Sequence, residues 1–234
     1  MIKSLTAAAI TALSMATAAP AVAGGPVVVE LFTSQGCSSC PPADELLGEI
    51  AKRNDIIALS MHVDYWDYLG WVDEFASPEN TTRQRGYARQ AQSTMIYTPQ
   101  MVVAGQDHII GTKGMELASK IDVHKSKADS VSLKVKRDAS GKLSIAAHRT
   151  GDVPSKMQVQ VIRYIAEQKV DIRRGENAGR TITYHNVVES VTPIGTWNGD
   201  ADLKVKADAP GDYPAVVLIQ DGPFGAILAA ARVE

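Results

Sequence analysis

Hydrophobic positions along the chain change their spacing twice. Up to Ala23 they form an apolar stretch broken by Thr and Ser behind a single Lys3; from Val27 to about Lys125 β-branched runs alternate with helically spaced segments; beyond Val131 every second position is apolar. The run Pro26 to Thr33 predicts a buried strand that ends in the turn Ser34-Gln35-Gly36. Pro41 and Pro42 sit where a helix starts, and Asp44, Glu45, Leu46, Leu47, Ile50 and Ala51 continue it with acids in the first turn. Ile56 to Val63 predicts a second strand, and the charged, Ala-rich stretch from Trp71 to about Ser93 one or two helices. Tyr97 to Ala104, a turn at Gly105-Gln106-Asp107 and His108 to Ile110 predict a hairpin, followed by a helix from Met115 to about Lys125. This βαβα order favours a parallel sheet.

The second half reads differently. Val131, Leu133 and Val135 alternate with Ser132, Lys134 and Lys136, and a turn at Asp138 to Gly141 leads to Leu143, Ile145 and Ala147. Further strands are expected at Met157 to Ala166, Thr181 to Val191, Asp202 to Lys206, Ala215 to Gln220 and Phe224 to Ala230. Such alternation is the mark of antiparallel sheet with one wet face. The change of texture near Lys125 to Ser130 sets an expected boundary between an α/β domain, 24–126, with an inserted helical segment at about 65–93, and an antiparallel, sandwich-like β domain, 127–234.

Composition narrows the class. The 234 residues are 45% hydrophobic and 21% charged, ordinary for a soluble globular protein and unlike disordered, collagen-like or coiled-coil chains. The net charge of −2, without a run of Lys or Arg, argues against nucleic acid as a partner. Residues 1–23, with small Ala21 and Ala23 around Val22, read as a secretory signal peptide. They fall short of the roughly 20 uninterrupted apolar residues a span requires. The expected location is therefore periplasmic or secreted, with no membrane span after cleavage.

Chemistry concentrates at Cys37-Ser38-Ser39-Cys40, which holds both cysteines of the chain. Two cysteines are too few for a disulfide-stapled scaffold. At a strand-to-helix junction, backbone N–H groups and the helix dipole favour the thiolate of Cys37, and Cys40, expected one turn into the helix, can resolve the mixed disulfide that Cys37 forms. Two plainer readings stand beside this one. A passive staple across so short a loop contributes only roughly 2 kcal/mol, and a tetrahedral metal site needs about two further ligands.

Three features in order, the strand Val27 to Thr33, Cys37-x-x-Cys40-Pro41 and Thr98-Pro99 before the strand Gln100 to Ala104, resemble the thioredoxin superfamily. The resemblance implies that Pro99 is cis and faces the dithiol, that the backbone at Thr98 takes an extended substrate segment as an added strand, and that Glu30 matches a buried acid that serves the resolving cysteine from beneath Cys40; the other reading of Glu30 is a strand-edge carboxylate facing solvent. Cys40 and Pro99 lie 59 positions apart, which leaves room for an extra segment that Tyr65 to Arg89 fills. The stretches Leu31 to Asp44 and His62 to Trp71, with Gly175-Glu176-Asn177 and His185 to Val188, further resemble a family of secreted bacterial proteins catalogued as domain of unknown function 1223, whose name implies a fold and no reaction.

Around this centre, His62, Asp64, Trp66 and Asp67 cluster at the C-terminal end of the second strand, where open parallel sheets assemble their sites. His62, Asp64 and Trp66 are candidate substrate contacts; in the plainer reading Trp66, Tyr68 and Trp71 cover a core edge while Asp64 and Asp67 cap turns. Arg173 to Arg180 is a glycine-punctuated loop, either a plain connection or a cover over the dithiol. His108, His124 and His148 are isolated. The expected function is exported thiol–disulfide exchange with a protein or small-thiol partner, through Cys37, Cys40 and Glu30, with Thr98 and Pro99 as substrate shelf and no cofactor or resident metal. The alternative is a copper- or peptide-binding module in which Cys37 and Cys40, joined by His62 for copper(I), are ligands or a clasp.

Overall fold

The computed structural model describes residues 24–209 and 213–233, so the expected signal segment lies outside the described residues. Strand β1 (Val27–Thr33) is buried along its whole length because helices or strands cover both of its faces. Val27, Val29 and Leu31 pack against Ala43, Leu47 and Ile50 of helix α1 (Pro41–Ala51) and against Leu117 and Ile121 of helix α3 (Gly114–Lys125). Val28 and Phe32 face the other way, onto Tyr87 of helix α2 (Pro78–Gln90) and onto Val188, Val216 and Leu218 from the second half of the chain.

Beside β1 lie β2 (Ile56–His62), parallel to it, and the antiparallel pair β3 (Gln100–Val103) and β4 (Asp107–Ile110). Both the strands and the hairpin follow the expected pattern closely. The remaining strands are β5 (Val131–Arg137), β6 (Lys142–Arg149), β7 (Met157–Asp171), β8 (Thr181–Trp197), β9 (Leu203–Asp208), β10 (Ala215–Asp221) and β11 (Ile227–Arg232). Strand β8 joins β2 in parallel at Ser60 and Val187, where Asn186, at φ 49°, turns its amide onto the Ala58 carbonyl. The result is a mixed α/β protein with one large, mostly antiparallel sheet of eight strands in the order β11-β10-β7-β8-β2-β1-β3-β4. The sheet runs across residue 126, so the expected boundary separates two textures of sequence and not two sheets. Strands β5, β6 and β9 form a second sheet of three, whose Leu143, Ile145 and Ala147 pack against Val159, Val161, Val217 and Ile219 of the large one.

Two regions differ from expectation, each for a physical reason. Strand β7 runs past Ala166 to Asp171, because beyond Ile165 it pairs only with Thr181 to His185 of β8 as a two-stranded arm, and β8 runs past Val191 to Trp197, where it pairs with Met157 to Val161 of β7 inside the large sheet. The arm's Val170, Ile172, Ile182 and Tyr184 bury themselves against Trp71 and Phe75. The segment expected to be helical from Trp71 resolves into an irregular stretch and a helix that begins only at Pro78, capped by Ser77 Oγ, which accepts from the N–H groups of Glu79 and Asn80. Helix α2 buries Asn80, Thr81, Arg83 and Gln84, so its inner face is polar and hydrophobic spacing gave no boundary.

Candidate functional site

The chain leaves β1 at Thr33 and turns twice before α1. Cys37 N–H donates to Ser34 O (3.1 Å), Gly36 N–H to Ser34 Oγ (3.1 Å) and Cys40 N–H to Cys37 O (3.2 Å). Cys37 and Cys40 form a disulfide with Cα atoms 5.4 Å apart. Cys40 is the N-cap of α1, which corrects its expected place one turn into the helix. Pro41 and Pro42 carry no N–H, and the next two, of Ala43 and Asp44, donate to Cys40 O, so the helix offers the sulfurs its dipole and no free donor. Cys37 is 1% and Cys40 0% exposed, while Ser38 and Ser39 face solvent. Both sulfurs are thus covered.

The Thr98–Pro99 peptide is cis. Gly111 N–H donates to Pro99 O (2.9 Å), and a Cβ on Gly111 would lie 2.9 Å from Pro99 Cβ and 3.0 Å from Ala43 Cβ, which sets Pro99 beside the first turn of α1. Trp66 backs the cysteine turn on another side, its Cβ 3.2 Å from where a Gly36 Cβ would stand.

Beneath the turn lies a buried polar chamber. Thr33 and His62 are register partners on β1 and β2, and parallel partners share a face, here the one covered by α1. His62 Nδ1 lies 2.7 Å from Asp73 Oδ2, an oxygen that also accepts from Gln35 N–H (2.8 Å), while Asp73 Oδ1 accepts from Phe75 N–H (2.9 Å). The Tyr184 ring meets His62 edge-on at 4.8 Å. Asp44, four residues after Cys40 on the buried face of α1, is 3% exposed, and neither carboxylate oxygen has a protein hydrogen-bond partner. The same holds for Thr33 Oγ1, Ser60 Oγ, His62 Nε2 and Tyr184 Oη. Burial pushes the Asp44 carboxyl up to about 7 against the opposing pull of His62. Burial also works against a charged His62, but the Asp73 carboxylate outweighs it and holds the imidazole above its ordinary value. Asp73 in turn stays below the usual carboxylate range, since His62 and the backbone donors outweigh its burial.

Glu30 is elsewhere. It points to the opposite face of β1 from α1, where its carboxylate accepts from Arg83 Nε (2.6 Å), Arg83 Nη2 (3.3 Å) and the Tyr87 hydroxyl. Arg83 also donates to Gln160 and Gln220. This closed network ties α2 to β1, β7 and β10, and the expected position of Glu30 beneath Cys40 is corrected. Asp64 accepts from the Thr81 hydroxyl (2.6 Å) and so holds its loop to α2, as in the plainer, capping reading.

The loop Arg173 to Arg180 comes to the site. Asn177, 1% exposed, donates from Nδ2 to Gln35 O and to Cys37 O, both at 2.9 Å, and Glu176 Oε2 accepts from Ser38 N–H (3.4 Å). The structure therefore brings together Cys37, Cys40, Pro99, Trp66 and His62, keeps Thr98 next to them in sequence, and leaves Glu30 and Asp64 outside. Asp44, Asp73, Tyr184 and Asn177 were missed. Asp44 had a signal, for Cys40, Ala43, Asp44, Leu47 and Ile50 follow helical spacing and put an acid on the buried stripe. Among the described residues no group of three or more His, Cys, Asp or Glu side chains is arranged to hold a metal ion.

Fold and site together define a mixed α/β protein with a covered Cys-x-x-Cys disulfide at a strand–helix junction. The chain belongs to the family described as Protein of unknown function (DUF1223), whose model matches residues 28–220. It is similar to the protein of an X-ray crystal structure, AGR_C_4864 from Agrobacterium tumefaciens, at 34% identity over 89% of this chain and 94% of that one, with a TM-score of 0.76. No curated protein matches it.

Proposed function

We propose that the protein is an exported thiol–disulfide oxidoreductase whose β2-β1-β3-β4 portion is thioredoxin-like. The observation that carries the reading is Asp44, an unpartnered, buried carboxyl raised to about 7 and set one helical turn after a disulfide-bonded cysteine. A partner thiolate attacks Cys37 Sγ. The Cys37–Cys40 bond breaks, its electron pair leaves on Cys40 Sγ, and that thiolate takes the proton of the Asp44 carboxyl. The partner's second thiol gives its proton to the Asp44 carboxylate and attacks the partner's own sulfur in the mixed disulfide, releasing Cys37 as thiolate. Two electrons have passed to this protein, the partner holds the new disulfide, and the reverse sequence oxidises this chain.

The place of Pro99 beside the first turn of α1 supports a site for an extended polypeptide next to the cysteines, and the apolar segment 1–23 supports export to the periplasm or beyond. Among the described residues no helix is long and apolar enough to cross a membrane. Cys40→Ser in the exporting cell tests the reading: mixed disulfides between Cys37 and partner proteins are expected. Their absence, together with a Cys37–Cys40 potential below about −300 mV, the range of structural disulfides, would return the pair to the role of a clasp.

A further inference from the structure

We propose that the β7–β8 loop is a latch on the disulfide, with Asn177 as its positioning residue, and that exchange begins when a protein partner displaces it. This rests on the exchange reading above and names the partner class for that site.

Exchange requires a thiolate to reach a disulfide sulfur, yet both cysteines are buried, so the turn must open first. Its inner side is fixed: Cys40 caps α1, and Ala43, Leu47 and Ile50 are seated in the core with β1. Three groups hold its outer side. Trp66 backs Gly36, Trp71 Nε1 donates to Gln35 Oε1 (2.7 Å), and Asn177 Nδ2 donates to the carbonyls of Gln35 and Cys37. Of these, only the loop bonds to Cys37 itself.

The loop is built to move as a unit. Gly179 N–H donates to Ile172 O (2.8 Å), Ala178 N–H to Gly175 O (3.2 Å) and Arg180 N–H to Asn177 O (3.1 Å), with Gly175 and Gly179 at φ +73° and +83° closing the turns. Arg180 Nη1 donates to Asn177 Oδ1 (3.0 Å), which sets the amide so that both Nδ2 hydrogens face the cysteine turn. From 173 to 180 every residue but Asn177 is exposed. The loop is therefore seated through one buried amide, the Glu176 contact at the rim and the close approach of Gly175 to Trp71, with no buried apolar side chain of its own. Hydrogen bonds of this kind yield to a competitor that brings its own backbone donors and contact area, as a polypeptide does and a tripeptide thiol does not. The latch excludes small thiols and admits proteins.

The test is the rate at which the oxidised full chain is reduced by glutathione and, separately, by a reduced thioredoxin, with thiols blocked and counted by mass spectrometry. Asn177→Ala and Asn177→Asp are expected to raise the glutathione rate at least about fivefold, the factor equivalent to one net hydrogen bond, and the thioredoxin rate much less. Arg180→Ala, which removes only the donor that orients the amide, is expected between wild type and Asn177→Ala. A purely structural asparagine would lower the urea midpoint and leave the ratio of the two rates unchanged, and that result would overturn the latch. If Asn177→Ala does not fold, Arg180→Ala and Glu176→Ala are read by the same ratio. Trapped partners in Cys40→Ser with an unmoved ratio sink the latch alone; a shifted ratio with no trapped partner sinks the exchange reading and leaves the latch standing.

Discussion

Asp44 and Glu30 are both buried acids near the start of the chain, and their surroundings give them opposite roles. Asp44 has no hydrogen-bond partner and is raised to about 7, so its neutral form suits the fold. Because the folded value exceeds the ordinary 3.8, the stability it provides is complete below pH 4 and is lost as pH rises through 7. Asn cannot ionise. Asp44→Asn is therefore expected to gain on the order of 2–3 kcal/mol of stability over wild type as pH goes from 5 to 8, read from urea midpoints, and to exchange disulfides at least about tenfold more slowly, with the rate step near pH 7 removed. The charged and polar groups facing Asp44 are His62, the Thr33 hydroxyl, Asp73 and Tyr184, so the same pH series in His62→Gln separates the share of His62 from the rest. Glu30 is ion-paired, and Glu30→Gln leaves a buried guanidinium without its carboxylate, a loss of about 3–5 kcal/mol. Its exchange rate in the folded protein is expected to match wild type; a slowed rate with unchanged stability would restore Glu30 to the catalytic chain.

At the scale of elements, α2 is where sequence pattern and structure part. Its buried positions are Asn80, Thr81, Arg83, Gln84, Gly86, Tyr87 and Ala88, a face held by hydrogen bonds to Glu30, Gln100, Gln160 and Gln220. Apolar spacing cannot report such a helix, since what satisfies its side chains lies on four other strands. The cap was legible, for Ser77-Pro78-Glu79 carries the start signal in its residue types. Gly86 is the close point of the packing, where an added Cβ would overlap the Phe224 ring. Gly86→Ala is expected to lower stability by about 1–3 kcal/mol through overpacking, measured as a fall in the thermal midpoint, with Phe224→Ala in the same chain recovering part of it. By contrast β1, β3 and β4 were legible almost to the residue, because β1 and β3, buried on both faces, are largely apolar and the turn between β3 and β4 needs Gly or Asp whatever surrounds it.

For the whole molecule, the large sheet couples the two halves. Strand β8 hydrogen-bonds to β2, Val28 and Phe32 share a core with Val216 and Leu218, and the arm of β7 and β8 delivers Asn177 to the cysteine turn. Unfolding is therefore expected as one transition, with Trp197 fluorescence, far-ultraviolet circular dichroism and protection of Cys37 from thiol reagents after reduction all reporting the same urea midpoint. Two separated midpoints would show that residues 24–126 and 127–233 melt independently.

By itself the sequence determined the strand order of the first half, the position of the Cys-x-x-Cys pair between strand and helix, the cis-capable proline before β3 and the antiparallel character of the second half. Each of these is local: a period, a turn residue, a spacing. Only the tertiary structure decided which face of β1 each side chain would serve, which put Glu30 with Arg83 and left the cysteine side to Asp44. It also decided that one sheet would span both halves and that Asn177, 140 positions from Cys37, would close over it. These depend on contacts between residues far apart in sequence, and such contacts leave no period in the chain that forms them.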